Sequence, residues 1–244
     1  MLVDGAIARV EVIAEDFENG EAQSQLLMIN GSLSSKVTSE DKLMFPYIRY
    51  INKVYIDTLP KDKIYHILVL GAGGFVLGIN DQRNDYTYID VVWQLPDIYN
   101  EHLSKEPLSD NKKFISQDAY LYMLKNKQKY DIIMVDVYSA VRSIPSNFVT
   151  EDFFQMVKEH LSPDGMMIAN IITSPSFKTK YSKRIDNTLR AVFTDNLSRQ
   201  VVSDSYFNPY VNELKNIIYV YYNVPQPDNT VYTINKNAAI FGNE

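Results

Sequence analysis

The chain has 244 residues, 45% of them hydrophobic, enough apolar material for one sizeable core and too much for a disordered segment. A formal net charge of -6 excludes a general affinity for nucleic-acid phosphates, which rests on clustered Lys and Arg. The sequence holds no cysteine, which excludes disulfides, thiolate catalysis and Cys-ligated zinc.

Residues 6–37 alternate in the manner of strands. ARVEVIAED and QSQLLMING flank the polar ENGEA segment, a hairpin signal, and SLSSKV adds a third strand. Residues 1–38 are therefore expected to form a small N-terminal β element, and residues 39–244 a Rossmann-like nucleoside-binding domain. After Thr38, apolar residues recur at helical spacing from Leu43 through Tyr55. That helix is expected to be capped by Ser39 and broken at Pro46.

From Lys63 onward, apolar strands separated by helical stretches give the pattern of βαβ units. The strands are IYHILVL, DYTYID, KFIS, YDIIMVDV, GMMIANII, RQVVSDSYF and NIIYVYYNV. The helices are FVLGIND, VVWQLPDIYNEHL, DAYLYMLKNKQ, TEDFFQMVKEHL, stopped by SPDG, and KRIDNTLRAVFTDNL. The fold class is thus α/β, with a seven-stranded sheet of the S-adenosylmethionine-methyltransferase type whose last strand inserts antiparallel.

In open α/β sheets the ligand lies beyond the carboxyl ends of the strands, near the point where strand order reverses. Four successive strand ends here carry suitable groups. The first enters a glycine turn at Gly71, Gly73 and Gly74, where the backbone can come close to a ligand. The second ends at Asp90, an acceptor for both hydroxyls of a ribose, followed by Val91. The third ends at Gln117, Asp118 and Ala119; Asp118 reads equally as an adenine-side contact and as a helix N-cap. The fourth ends at Asp136, the candidate catalytic carboxylate, with Tyr138 and Ser139 in the long loop that follows, the expected substrate loop. Asp131 reads as a strand-start residue. A dinucleotide fingerprint would need a third glycine three positions after Gly73, where Val76 stands, so a nucleoside without a pyrophosphate is favoured. His66, His102 and His160 are scattered without metal-ligand spacing, and no metal is expected. No apolar run approaches a membrane span, and no basic stretch with an apolar core opens the chain. A cytoplasmic protein without membrane contact is expected.

These motifs resemble the spermidine synthase family, the aminopropyltransferases. ILVLGAGG resembles its nucleoside-binding turn, YID its ribose acid, SQDAYLYM its adenine-side motif, and YDIIMVDVYS the strand bearing its catalytic aspartate. LLMINGSLSSKVTSED with FPYIRY resembles the segment between its N-terminal hairpins and first helix, and IPSNFVTEDFFQMVKEHLSPDGMMI continues the likeness. The resemblance implies decarboxylated S-adenosylmethionine as co-substrate, Asp136 as the base that deprotonates an attacking amine, and a homodimer.

The chain departs from the family pattern at four places. Gly74 stands where the family has an aspartate for the aminopropyl ammonium, and Ser139 where it has a second acid. Ser34 replaces a glutamine and Ile7 a tyrosine. An unpaired ammonium in a closed site costs several kcal/mol, on the order of the desolvation penalty, which weighs against putrescine as the acceptor. Two alternatives stay open: an S-adenosylmethionine-dependent methyltransferase on the same scaffold, and a non-catalytic nucleoside-binding homologue.

Overall fold

The computed structural model describes residues 2–4, 8–15, 24–38, 44–104, 106–138, 144–202 and 214–225. Strands β1 (Leu2–Asp4), β2 (Arg9–Glu15), β3 (Ser24–Ile29) and β4 (Ser32–Thr38) form an antiparallel sheet in that order, one strand more than the sequence pattern suggests. The β3–β4 connection is tight because Asn30 and Gly31 both take positive φ, 52° and 75°, the geometry that matches the twist of a hairpin. Period-two patterning buries Val10 and Val12 of β2, and with Leu27 and Val37 they join the core beneath the glycine turn.

Helix α1 (Pro46–Ile51) runs on as a π-helical turn over Asn52–Ile56. Pro46 opens this helix instead of breaking it, since a proline at the first helical position removes an N–H that has no intrahelical partner anyway. The expected cap, Ser39, lies outside the described residues.

The main sheet holds β5 (His66–Leu70), β6 (Asp85–Asp90), β7 (Lys112–Ser116), β8 (Tyr130–Val135), β9 (Leu161–Thr173), β10 (Leu197–Val202) and β11 (Lys215–Tyr222). Their order is β10-β11-β9-β8-β5-β6-β7. Neighbours from β7 across to β9 pair parallel, whereas β11 runs antiparallel to both β9 and β10. This is the methyltransferase-type sheet with the antiparallel closing strand expected from the sequence. Chain order reverses at β5, so the ends of β5, β6 and β8 meet at the switch point.

Helices α2 (Leu95–Ile98), α3 (Ala119–Lys125), α4 (Glu151–Glu159) and α5 (Lys180–Phe193) complete the fold, α2 continuing as a π-helical turn to Leu103. The helix expected over FVLGIND does not form. Phe75 and Gly78 have positive φ, and Asp81 binds the backbone N–H of Arg83 and Asn84, the Asn84 amide and the Tyr86 hydroxyl. Those local bonds close a loop in place of helical turns. The SPDG segment also differs: it lies inside β9, whose pairing with β8 shifts register between Tyr130 and Ile132.

Candidate active site

A cavity of about 900 Å³ opens at the switch point. Its wall takes residues from the glycine turn, the ends of β6 and β8, the start of α3, strand β4 and helix α1. Gly71 and Gly73, Asp90 and Val91, Asp118 and Ala119, and Asp136 and Tyr138 all line it.

The turn is built around a close backbone crossing. Gly71 has φ 92°, its N–H donates to the carbonyl of Ile89, and a Cβ added to it would lie 2.2 Å from the carbonyl oxygen of Asp136. Only glycine lets β5 and β8 end this close together. Gly74 is not among the residues that line the cavity. Its N–H donates to Ser35 Oγ at 2.8 Å, and a Cβ there would meet the Ser35 Cβ at 2.9 Å. Strand β4 thus fills the space beside Gly74, and Ser34 and Ser35 face the cavity from the N-terminal sheet.

Asp90 at the end of β6 accepts the N–H of Ala72 at Oδ2 and of Val92 at Oδ1, each at 3.0 Å. Burial pushes its carboxyl above the usual carboxylate range, and these backbone donors pull against that. Asp90 therefore locks the glycine turn to β6 while it lines the cavity. Asp118 caps α3, accepting the N–H of Leu121 at 2.9 Å, and lies in the wall as well, so capping and a ligand-facing position coexist. Gln117 is different: its N–H extends the β6–β7 pairing by donating to the Asp90 carbonyl, and it is not part of the wall.

Asp136 follows β8, with its N–H donating to the carbonyl of Leu70. Its carboxylate accepts the Tyr47 hydroxyl at Oδ2, 3.0 Å, and the Asn170 amide at Oδ1, 2.9 Å. Burial raises its pKa to about 6, against the lowering effect of those two bonds. A carboxylate so placed can hold or release a proton near neutral pH. The Tyr138 ring lines the cavity, but its hydroxyl is committed elsewhere. It donates to the backbone carbonyl of Asn170 at 3.0 Å and accepts the Ile172 N–H at 2.9 Å, continuing the edge of β9 where β8 has ended. Ser139 and Ile7 lie outside the described residues.

Sequence patterning missed Tyr47, Asn170 and Ser35. Asn170 had a signal, a polar residue interrupting the apolar run MMIANII, since a buried amide needs a partner. Tyr47 had none, because the pairing spans 89 positions.

The profile of the spermine/spermidine synthase domain matches residues 95–213. A polyamine aminopropyltransferase of Sulfurisphaera tokodaii is 28% identical over 181 residues, covering 68% of this chain and 56% of that protein. The chain is thus similar to the spermidine synthase family over its central half. Its fold agrees with the crystal structure of a probable spermidine synthase from Corynebacterium glutamicum, at a TM-score of 0.73 and 21% identity over 98% of this chain and 85% of the other. It also agrees with a spermidine synthase in complex with the transition-state analogue AdoDATO, at a TM-score of 0.63 and 16% identity over 91% and 71%. The chain spans little more than half the length of the Sulfurisphaera relative. Among the described residues, no helix is long and apolar enough to cross a membrane, and no group of three or more His, Asp or Glu could hold a metal ion.

Proposed function

We propose that this chain belongs to the spermidine synthase family and transfers an aminopropyl group from decarboxylated S-adenosylmethionine to an amine. The observation that carries the reading is Asp136, held by Tyr47 and Asn170 in the same cavity wall as the glycine turn and Asp90. The cavity is large enough for a nucleoside and a small amine together. In this reading Asp90 accepts the ribose hydroxyls and Asp118 faces the adenine edge. Val91 and Ala119 supply apolar surface to the base. The bound nucleoside supplies an alkyl carbon made electrophilic by its sulfonium; the amine nitrogen bonds to that carbon as its C–S bond breaks and methylthioadenosine leaves, and Asp136 takes the proton that the amine loses. Alignment of the two reactants provides most of the acceleration, and the base adds a smaller factor.

Gly74 and Ser139 place neutral residues where the family has acids, so the acceptor is an amine that does not rely on them, which counts against putrescine. The gap beside Gly74 is filled by Ser35, and a carboxylate there would collide with β4. A homodimer is what the family likeness implies; the aromatic stretch from Phe45 to Tyr55, readable as its surface or as core, buries Tyr47, Ile48, Ile51 and Tyr55 in the core.

Calorimetric titration with decarboxylated S-adenosylmethionine, S-adenosylmethionine and methylthioadenosine tests the assignment. Tightest binding of the decarboxylated form among the two sulfonium nucleosides supports it. Preference for the carboxylated form transfers the assignment to a methyltransferase, and binding of none leaves a protein without a nucleoside site.

A further inference from the structure

Two asparagines on one face of the main sheet carry carbonyl oxygens that have no hydrogen-bond donor and are closed off from solvent: Asn170 of β9 and Asn216 of β11. In the antiparallel register Asn216 lies opposite Ile172 and Ile218 opposite Asn170, so the two amides are diagonal neighbours on the same face. Both line the cavity. Asn170 is only 3% exposed, and its amino group is already used on Asp136 Oδ1, which leaves its oxygen as the unpaired end.

No donor of the protein accounts for either side-chain oxygen. Asn170 interrupts the apolar run MMIANII, Asn216 stands beside Lys215 at the start of β11, and a side-chain carbonyl oxygen shielded from water without a donor destabilises the fold. Asn170 also links the station to the carboxylate, because one end of its amide holds Asp136 and the other end has no donor.

We propose that Asn170 and Asn216 form an amide station that receives N–H groups of the amine and determines which amines reach Asp136. The inference rests on the reading of this cavity as an amine-transfer site. Its ligand class is a primary amine. Two amide oxygens and one carboxylate are three acceptors, and a primary ammonium brings three N–H donors, whereas a tertiary ammonium brings one. The amide oxygens do this without adding negative charge beside Asp136.

The test uses the full chain saturated with methylthioadenosine, titrated with butylamine and with N,N-dimethylbutylamine, for the unmodified protein, Asn216→Leu and Asn216→Ala. Loss of the station is expected to weaken butylamine by about tenfold or more, to leave the dimethyl compound within about twofold, and to leave methylthioadenosine affinity unchanged. Asn216→Leu is also expected to keep or raise the melting temperature without ligand, because it removes an orphaned oxygen. Unchanged butylamine binding in both variants overturns the station while the nucleoside site stands, as does failure of butylamine to bind the unmodified protein. A fall in melting temperature with unchanged amine affinity identifies a structural role and also overturns it. Failure of methylthioadenosine to bind overturns the underlying assignment as well.

Discussion

The hydroxyl of Tyr47 donates to Oδ2 of Asp136 at 3.0 Å, joining the first turn of α1 to the end of β8. This bond favours the ionised carboxylate, whereas burial disfavours it and dominates, leaving a pKa of about 6. Tyr47→Phe removes a donor from the charged form, so the Asp136 pKa rises further. The acidic limb of the pH–rate profile is expected to move to higher pH, with activity lost several-fold near pH 6 and much less near pH 8. An acidic limb that stays in place in Tyr47→Phe would show that Asp136 does not set it.

The raised pKa of Asp136 also carries a stability consequence. The folded protein binds this proton more tightly than the unfolded chain, whose aspartate titrates near its ordinary value of about 3.9. Stability from this group is therefore greatest below about pH 4 and is lost as pH rises through about 6. Asp136→Asn removes the buried charge and keeps an acceptor for Tyr47. It is expected to melt higher than the unmodified protein at pH 7.5, with the gap narrowing toward pH 4.5. Melting curves across that range check the sign, and a gap that is constant with pH contradicts it.

Ser35 ties the N-terminal sheet to the glycine turn. Its Oγ accepts the N–H of Gly74 in a buried place, and Ser35 is 2% exposed. Ser35→Ala leaves that N–H without a partner, a loss of about 1–3 kcal/mol. A lower melting temperature and weaker methylthioadenosine binding are expected together, because the turn is loosened where Gly71 and Gly73 meet the cavity. A variant that melts lower but binds the nucleoside normally would separate β4 from the site.

The sheet was legible because its strands are apolar runs bounded by turns, and the glycines, Asp90, Asp118 and Asp136 fall where those runs stop. What the sequence concealed has physical causes. FVLGIND imitates a helical face, but Gly78 and the carboxylate of Asp81 favour a loop that no periodicity reports. Pro46 reads as a breaker in one dimension and serves as a first helical residue in three. Nothing local marks which of 18 tyrosines reaches Asp136, since Tyr47 arrives by packing of α1 across the switch point. Tyr138 looked free to meet a substrate, yet its hydroxyl completes the backbone pairing of β9.

The central claim is that Asp136 works as a base inside a nucleoside cavity whose glycine turn is fastened to β6 by Asp90 and not by the Asp136 carboxylate. Asp136→Asn should therefore bind methylthioadenosine with an affinity within about twofold of the unmodified protein and lose at least about a hundredfold in turnover, the range that a general base supplies. Turnover that survives in this variant, or nucleoside binding that disappears with it, would contradict the account.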